Sequence, residues 1–270
     1  MNDIYIVTVY SVIADLLQAY DYQDDPRASI SAAEILTVAV VAAKYFQNHH
    51  ERALCVLVKL GDIPGLSVSR FNRRLHALHD WLYGIVTLLG EVFTHGEVFI
   101  IDSMPLPVCK RVRARRCKKV RGKAYCGYCA AKREKFFGWR MHLICTADGI
   151  PVAFDLLPAA HHDLTPIHEL MVNLPAGSAV FGDKGYISAD DALTLLEETG
   201  VRLVSIRRKN MVPNRWADDF DLRLYRKRIE TLYSQLVAMG VQRLHARTNL
   251  GFDLKAWSSL LALAFTNILD

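Results

Sequence analysis

Two short apolar runs, VFII at 98–101 and AVFG at 179–182, each lead directly into an aspartate, Asp102 and Asp183. Unbroken four-residue runs of this kind read as buried central strands. A third acid, Glu230 in YRKRIETLYSQL, lies in a stretch of helical periodicity among basic neighbours. Carboxylates at strand ends and on a nearby helix suit a site that holds two divalent cations beside a phosphodiester. Hard cations such as Mg2+ take oxygen ligands, keep several waters and share the phosphate oxygens of a substrate.

Each acid also has an ordinary reading. Asp102 precedes SMPLP, whose two prolines are expected to end the strand, and strand-end aspartates commonly serve turns. Asp183 sits in GDKGY between Gly182 and Gly185, which admit close backbone approach, with Lys184 in reach of a phosphate. The plain alternative there is a strand-to-helix turn with a surface lysine. Glu230 fits an exposed ion pair with Arg226, four residues earlier, as well as it fits catalysis, and Glu197, Glu198 and Asp221 compete with it.

Along the chain, the first ninety-five residues read as helices. Ser31 with Glu34 forms a capping-box pattern before the almost wholly apolar ILTVAVVAAKYF. ERALCVLVKL stops at Gly61, and one further helix is expected to run through SVSRFNRRLHALHDWLYGIVTLL. The opening of that helix, with Arg70, Arg73 and Arg74, suits either a DNA-contacting helix or an amphipathic packing helix. From Glu97 the pattern turns to strands. FFGWRMHLICTADGIPVAFDLLP reads as a hairpin turning at Asp148–Gly149. In its first strand Phe137, Trp139, Met141, Leu143 and Cys145 share one face, with Arg140 and His142 on the other. A helix opened by Pro166, the strand SAVFG, a helix from Ser188 to Gly200, the strand VRLVSI and a long helix over about 222–239 follow, and an apolar helix starts near Phe252. Three meandering strands followed by helix, strand, helix, strand and helix is the order of a ribonuclease-H-like α/β domain.

Charge is unevenly spread. From Cys109 to Arg140 thirteen Lys and Arg stand against a single acid, Glu134. Of 33 basic and 28 acidic residues in the chain, the remainder therefore holds 20 and 27, a net of −7 beside a block of +12. Such a block needs an anionic partner, and the interleaved Tyr125, Tyr128, Phe136, Phe137 and Trp139 set it apart from a merely solvating run. Nucleic-acid backbone is the partner expected, contacted by Lys110, Arg111, Arg113, Arg115, Arg116, Lys118, Lys119, Arg121 and Lys123, with Lys184 and Arg226 near the acids. The longest apolar stretch, 30–43, is interrupted by Glu34, and the N-terminus lacks a secretory pattern, so a cytoplasmic protein without membrane contact and with reduced cysteines is expected. Cys109, Cys117, Cys126 and Cys129 leave structural zinc open, although a tight second pair is missing. His162 or Asp163, in the polar HHD cluster, is a candidate to support the acidic site, and His142 reads as a packed or hydrogen-bonded histidine.

FIIDSMPLPVCK, the basic segment, FFGWRMHLI, GDKGY and YRKRIETLYSQL, in this order, resemble the DDE transposases of bacterial insertion sequences. With SRFNRRLH and FDLKAWSSLLALAF the resemblance covers nearly the whole chain. It implies an α/β fold with a ribonuclease-H-like mixed sheet and flanking helices over 96–270, carrying a basic insertion at about 109–136. An all-α DNA-binding region over 1–95 would precede it. It places Asp102, Asp183 and Glu230 at the catalytic, metal-holding positions, with two Mg2+ ions and Mn2+ as a substitute. It further implies cleavage of transposon ends, strand transfer to target DNA, and a homodimer assembled on DNA. The chain departs from many relatives in one helix. Arg226 is in place, but Arg223 and Val237 stand where a tyrosine and a lysine are usual, and Tyr225 is out of register. Two other functions remain compatible with these residues: a nuclease of the same fold without strand transfer, and a non-catalytic nucleic-acid-binding protein derived from a transposase.

Overall fold

A computed structural model of the protein describes residues 2–129, 132–208, 210–212, 214 and 216–269, with the backbone alone at 216–219 and 226. The chain divides into two units, 1–88 with 235–270, and 89–234.

The first unit is helical: α1 (Asp3–Ala19), α2 (Ala32–Phe46), α3 (His50–Leu60), α4 (Val68–Ala77), most of α5 (His79–Val92) and α9 (Asn249–Leu269). The capping box is formed, with Ser31 accepting from the Glu34 N–H and the Glu34 carboxylate accepting from Ser31 N–H at 2.6 Å. Residues 35–43 of α2 are buried all round, which makes it the axis of this unit, with α9 packed against it. The sequence grouped α9 with the sheet; its packing instead groups it with the N-terminal helices. The single helix expected after Gly65 is two, because α4 ends at Leu78, whose N–H turns back to Arg74 before α5 begins. Arg74 is not free for a partner. It pairs with Asp24 at 2.9 Å and donates to the Ile30 carbonyl, leaving Arg70 and Arg73 exposed on α4.

The second unit is built on a six-stranded mixed sheet: β1 (Val98–Lys110), β2 (Cys126–Cys129), β3 (Glu134–Thr146), β4 (Pro151–Pro158), β5 (Ala179–Gly182) and β6 (Arg202–Ser205). β3 pairs antiparallel with β1 on one side and with both β2 and β4 on the other. β1, β5 and β6 run parallel. This is the ribonuclease-H-like arrangement, a meander of three strands extended by two parallel ones. Between strands lie α6 (Ile167–Met171) and α7 (Ala189–Thr199), and α8 (Trp216–Ala238) follows β6. The hairpin turns at Gly149, whose φ of +88° suits a residue without a side chain.

Period-2 alternation divides the sheet into two cores. Phe99, Ile101, Val180 and Leu203 pack with Ile167, Leu170 and Leu195 of α6 and α7. Phe181 and Val204 pack with Leu222 of α8, and the Phe181 and Tyr225 rings lie 5.6 Å apart. Asp102, two residues beyond Ile100, emerges on the α8 side, while Ser103 emerges on the other.

Two expectations about the strands are corrected. The prolines do not end β1, which continues through Pro105 and Pro107 to Lys110. Pairing with β5 stops at Ile101, so beyond it β1 is an edge on that side. Two prolines two residues apart lose their N–H groups on one side only, so the ladder with β3 survives. The second concerns the basic insertion, in which no strand is expected from sequence. It holds the sixth strand, β2, after a 3-10 turn at Arg111–Arg116.

Candidate active site

Asp102 and Asp183 are brought together by the parallel ladder itself. The last β1–β5 pair is Ile101 with Gly182, so the two aspartates follow on neighbouring strands about 5 Å apart. Glu230 comes from α8, one residue after buried Ile229, and faces out of the packed stripe of Leu222, Ile229, Leu232 and Leu236. All three acids line a single cleft of about 240 Å³, together with Lys184, Tyr225, Ile206 and apolar residues of β1 and β5.

Their environments differ. Asp183 and Glu230 are exposed, whereas Asp102 is partly covered. Burial pushes the Asp102 carboxyl up to about 7, Asp183 and Asp163 add like-charge repulsion, and the Ser103 N–H and Arg140 oppose the rise. Asp183 Oδ1 accepts from Gly185 N–H at 2.7 Å, which shapes the GDKGY turn. The phenols of Tyr186 and Tyr233 are buried nearby, and the Tyr233 hydroxyl has no hydrogen-bond partner among the described residues. Burial and the Asp102 charge hold both phenols well above their ordinary range. His142 is fully buried, neither ring nitrogen has a partner among the described residues, and burial lowers it to about 4. It is therefore packed rather than hydrogen-bonded, and neutral at pH 7.

Among the described residues no three His, Cys, Asp or Glu side chains stand close enough to hold a metal ion by themselves. Cys109, Cys117, Cys126 and Cys129 thus form no such group, although burial and the neighbouring Cys117 raise the Cys109 thiol. Asp102 and Asp183 nevertheless fit Mg2+, which is usually held by one or two carboxylates with substrate phosphate and water completing the shell. A cation between them would also offset the burial and the like-charge repulsion that together hold the Asp102 carboxyl high.

Most of the expected cationic residues are exposed. Arg111, Arg113, Arg115, Arg116, Lys118, Arg121 and Lys123 are exposed and Lys119 is half-buried. Lys110 is exposed and lies 3.8 Å from Glu134. Lys184 is exposed beside Asp183, and the Arg226 side chain lies outside the described residues. One group had only a faint signal in sequence. Asp163, in the HHD turn, accepts from Ser103 Oγ at 2.7 Å and stands 3.5 Å from Arg140 Nη1.

Parallel strands ending side by side in aspartates, with an acid-bearing helix over one face, stand on a ribonuclease-H-like α/β scaffold. Residues 93–249 match the transposase DDE domain family, and the chain belongs to it. Proteins of this family act on DNA. No individual curated protein and no solved structure matches the chain. Among the described residues no helix is long and apolar enough to cross a membrane.

Proposed function

We propose that this protein is a transposase that cuts phosphodiester bonds at transposon ends and joins them to target DNA with the help of divalent metal. The observation that carries the reading is the shared cleft of Asp102, Asp183 and Glu230, with the two aspartates on adjacent strand ends. Asp102 and Asp183 would hold Mg2+, or Mn2+ in its place, and Glu230 would add its carboxylate from α8. The bound metal supplies Lewis-acid polarisation of a phosphoryl oxygen and a deprotonated water at neutral pH. In the first reaction a water oxygen attacks phosphorus and the 3′-oxygen leaves as a hydroxyl. In the second that hydroxyl attacks a target phosphate, and a target 3′-hydroxyl leaves. Bond count is conserved in each, and neither needs a covalent link to the protein.

Lys184 lies beside Asp183 at the mouth of the cleft, where its ammonium would meet a backbone phosphate. The arginines and lysines of 110–123 would neutralise the flanking backbone, and Arg70 and Arg73 of α4 would add contacts from the helical region. We take 1–95 as a DNA-binding region, the residues from 96 onward as the catalytic part, a homodimer as the form assembled on DNA, and the cytoplasm as the compartment.

Strand cleavage of end-containing DNA with Mg2+ tests this reading, comparing wild type with Asp102→Asn. A loss of about 10³-fold, or roughly 4 kcal/mol of barrier, is expected. Equal cutting by the variant contradicts it. Glu230 is exposed, and among the described residues no three acids close on one point, which leaves room for the two rival readings. Nicks without joined product would favour the plain nuclease. Tight DNA binding without Mn2+ binding would favour the non-catalytic relative.

A further inference from the structure

Asp163 lies in the turn after β4, sixty residues from Ser103 in sequence, yet its two oxygens reach toward both strand-end aspartates. Oδ1 accepts from Ser103 Oγ at 2.7 Å, and the N–H of the same serine donates to Asp102 Oδ1 at 2.7 Å. Oδ2 faces the other aspartate. A Cβ built on Gly185 would stand 2.7 Å from Asp163 Oδ2 and 2.9 Å from Asp183 Oδ1, so those two oxygens are at most 5.6 Å apart, the sum of the two distances. Arg140 closes the arrangement, with Nη1 donating to Ser103 Oγ at 3.1 Å and Nη2 reaching the Tyr128 carbonyl of β2 at 3.4 Å.

A third carboxylate beside two that already repel one another is costly unless it is compensated. Here the compensation is Arg140, whose side chain is only 19 % exposed against 26 % for Asp163. A methyl at position 185 would press on the carboxylate ends of both Asp163 and Asp183, so one of them would turn aside.

We propose that Asp163 is a positioning residue that holds the Asp102 strand end through Ser103 and sets its approach to the Asp183 turn by lying close over Gly185, so that the two strand ends keep metal-holding spacing. It rests on the reading of Asp102 and Asp183 as metal carboxylates. Arg140 belongs to this clamp rather than to the free DNA-binding charge, and it continues the clamp into the basic hairpin.

The test uses the full chain and two readouts. Mn2+ affinity without DNA is measured by calorimetry or by the electron paramagnetic resonance of free Mn2+, and the Mg2+ half-saturation is read from strand cleavage. Asp163→Asn is expected to weaken both about 10- to 100-fold, the range for groups that orient metal ligands. Metal-free DNA affinity and the melting temperature should stay close to wild type. Mn2+ affinity within twofold of wild type overturns the proposal. Should Asp163→Asn fail to fold, Ser103→Ala removes only the hydroxyl link: a severalfold loss of Mn2+ affinity supports the clamp, and no loss overturns it. Wild type that neither binds Mn2+ nor cuts DNA removes the metal reading itself, an outcome distinct from an unaffected variant beside an active wild type.

Discussion

One strand carries two opposite surfaces. Near the start of β1, Asp102 lies in the cleft with Asp183 and Glu230; at its end, Lys110 opens a turn of exposed arginines. Eight residues separate the two, which at about 3.3 Å per residue is roughly 26 Å of strand. The acidic region is partly enclosed, and burial there, with like charges adding to it, pushes a carboxyl toward neutrality. The basic region is exposed and has no acid but Glu134 nearby in sequence. Enclosure makes the first region chemically selective, and exposure lets the second act as a diffuse counter-charge for a polyanion.

The largest effect on DNA binding should come from the basic end. Replacing Arg111, Arg113, Arg115 and Arg116 with Ala removes four exposed charges. DNA affinity should fall by about 10²-fold or more at low salt, and the slope of log K against log salt should shrink by about 0.9 for each phosphate left without its cation. An unchanged slope in a fluorescence-anisotropy titration would show that the turn does not meet the backbone. Metal affinity should not change, since the two regions are far apart along the strand.

An intermediate effect is expected at the acidic end from Gly185→Ala. The new methyl would meet Asp163 and Asp183 at distances below 3.0 Å, so one carboxylate must move. Cleavage should drop about 10-fold, with little change in a denaturant melt, because the atoms met are carboxylate tips that can turn aside. Full activity would mean that the spacing of the two aspartates is not critical.

The smallest effect is on stability, and its sign follows from Asp102. Its folded carboxyl titrates near 7 against an ordinary 3.8, so the folded state holds a proton that the unfolded state releases. That contribution is complete below about pH 4 and is lost as pH rises through 7. The Asp102 contribution to metal-free stability should therefore fall from pH 4 to pH 8, so that over this window the melting temperature of wild type drops by a few degrees relative to that of Asp102→Asn. Equal pH dependence in the two proteins would place the stress elsewhere. Added Mg2+ should narrow the gap between them at pH 8.

Much of this was legible in sequence where the physics is local. The capping box at Ser31, the stop at Gly61, the hairpin at Gly149 and the cap at Ser188 each follow from a few neighbouring residues, and each is formed. Apolar runs located β1, β5 and β6 and thereby the two aspartates. What escaped depends on partners far along the chain. CGYC has no alternation that marks a strand, and β2 exists because Phe136 and Phe137 of β3 offer it an edge. Whether a proline ends a strand depends on which side is paired, which sequence does not display. Likewise nothing in HHD names Ser103 or Arg140 as partners of Asp163.

The central claim concerns a metal ion between the two strand ends, and anomalous diffraction from crystals soaked with Mn2+, with a short duplex bound, reads it directly. The account predicts a Mn2+ peak bonded to carboxylate oxygens of both Asp102 and Asp183, with Glu230 drawn in and a phosphate completing the shell. A peak away from these residues, or none at saturating Mn2+ with DNA seated in the cleft, would contradict it.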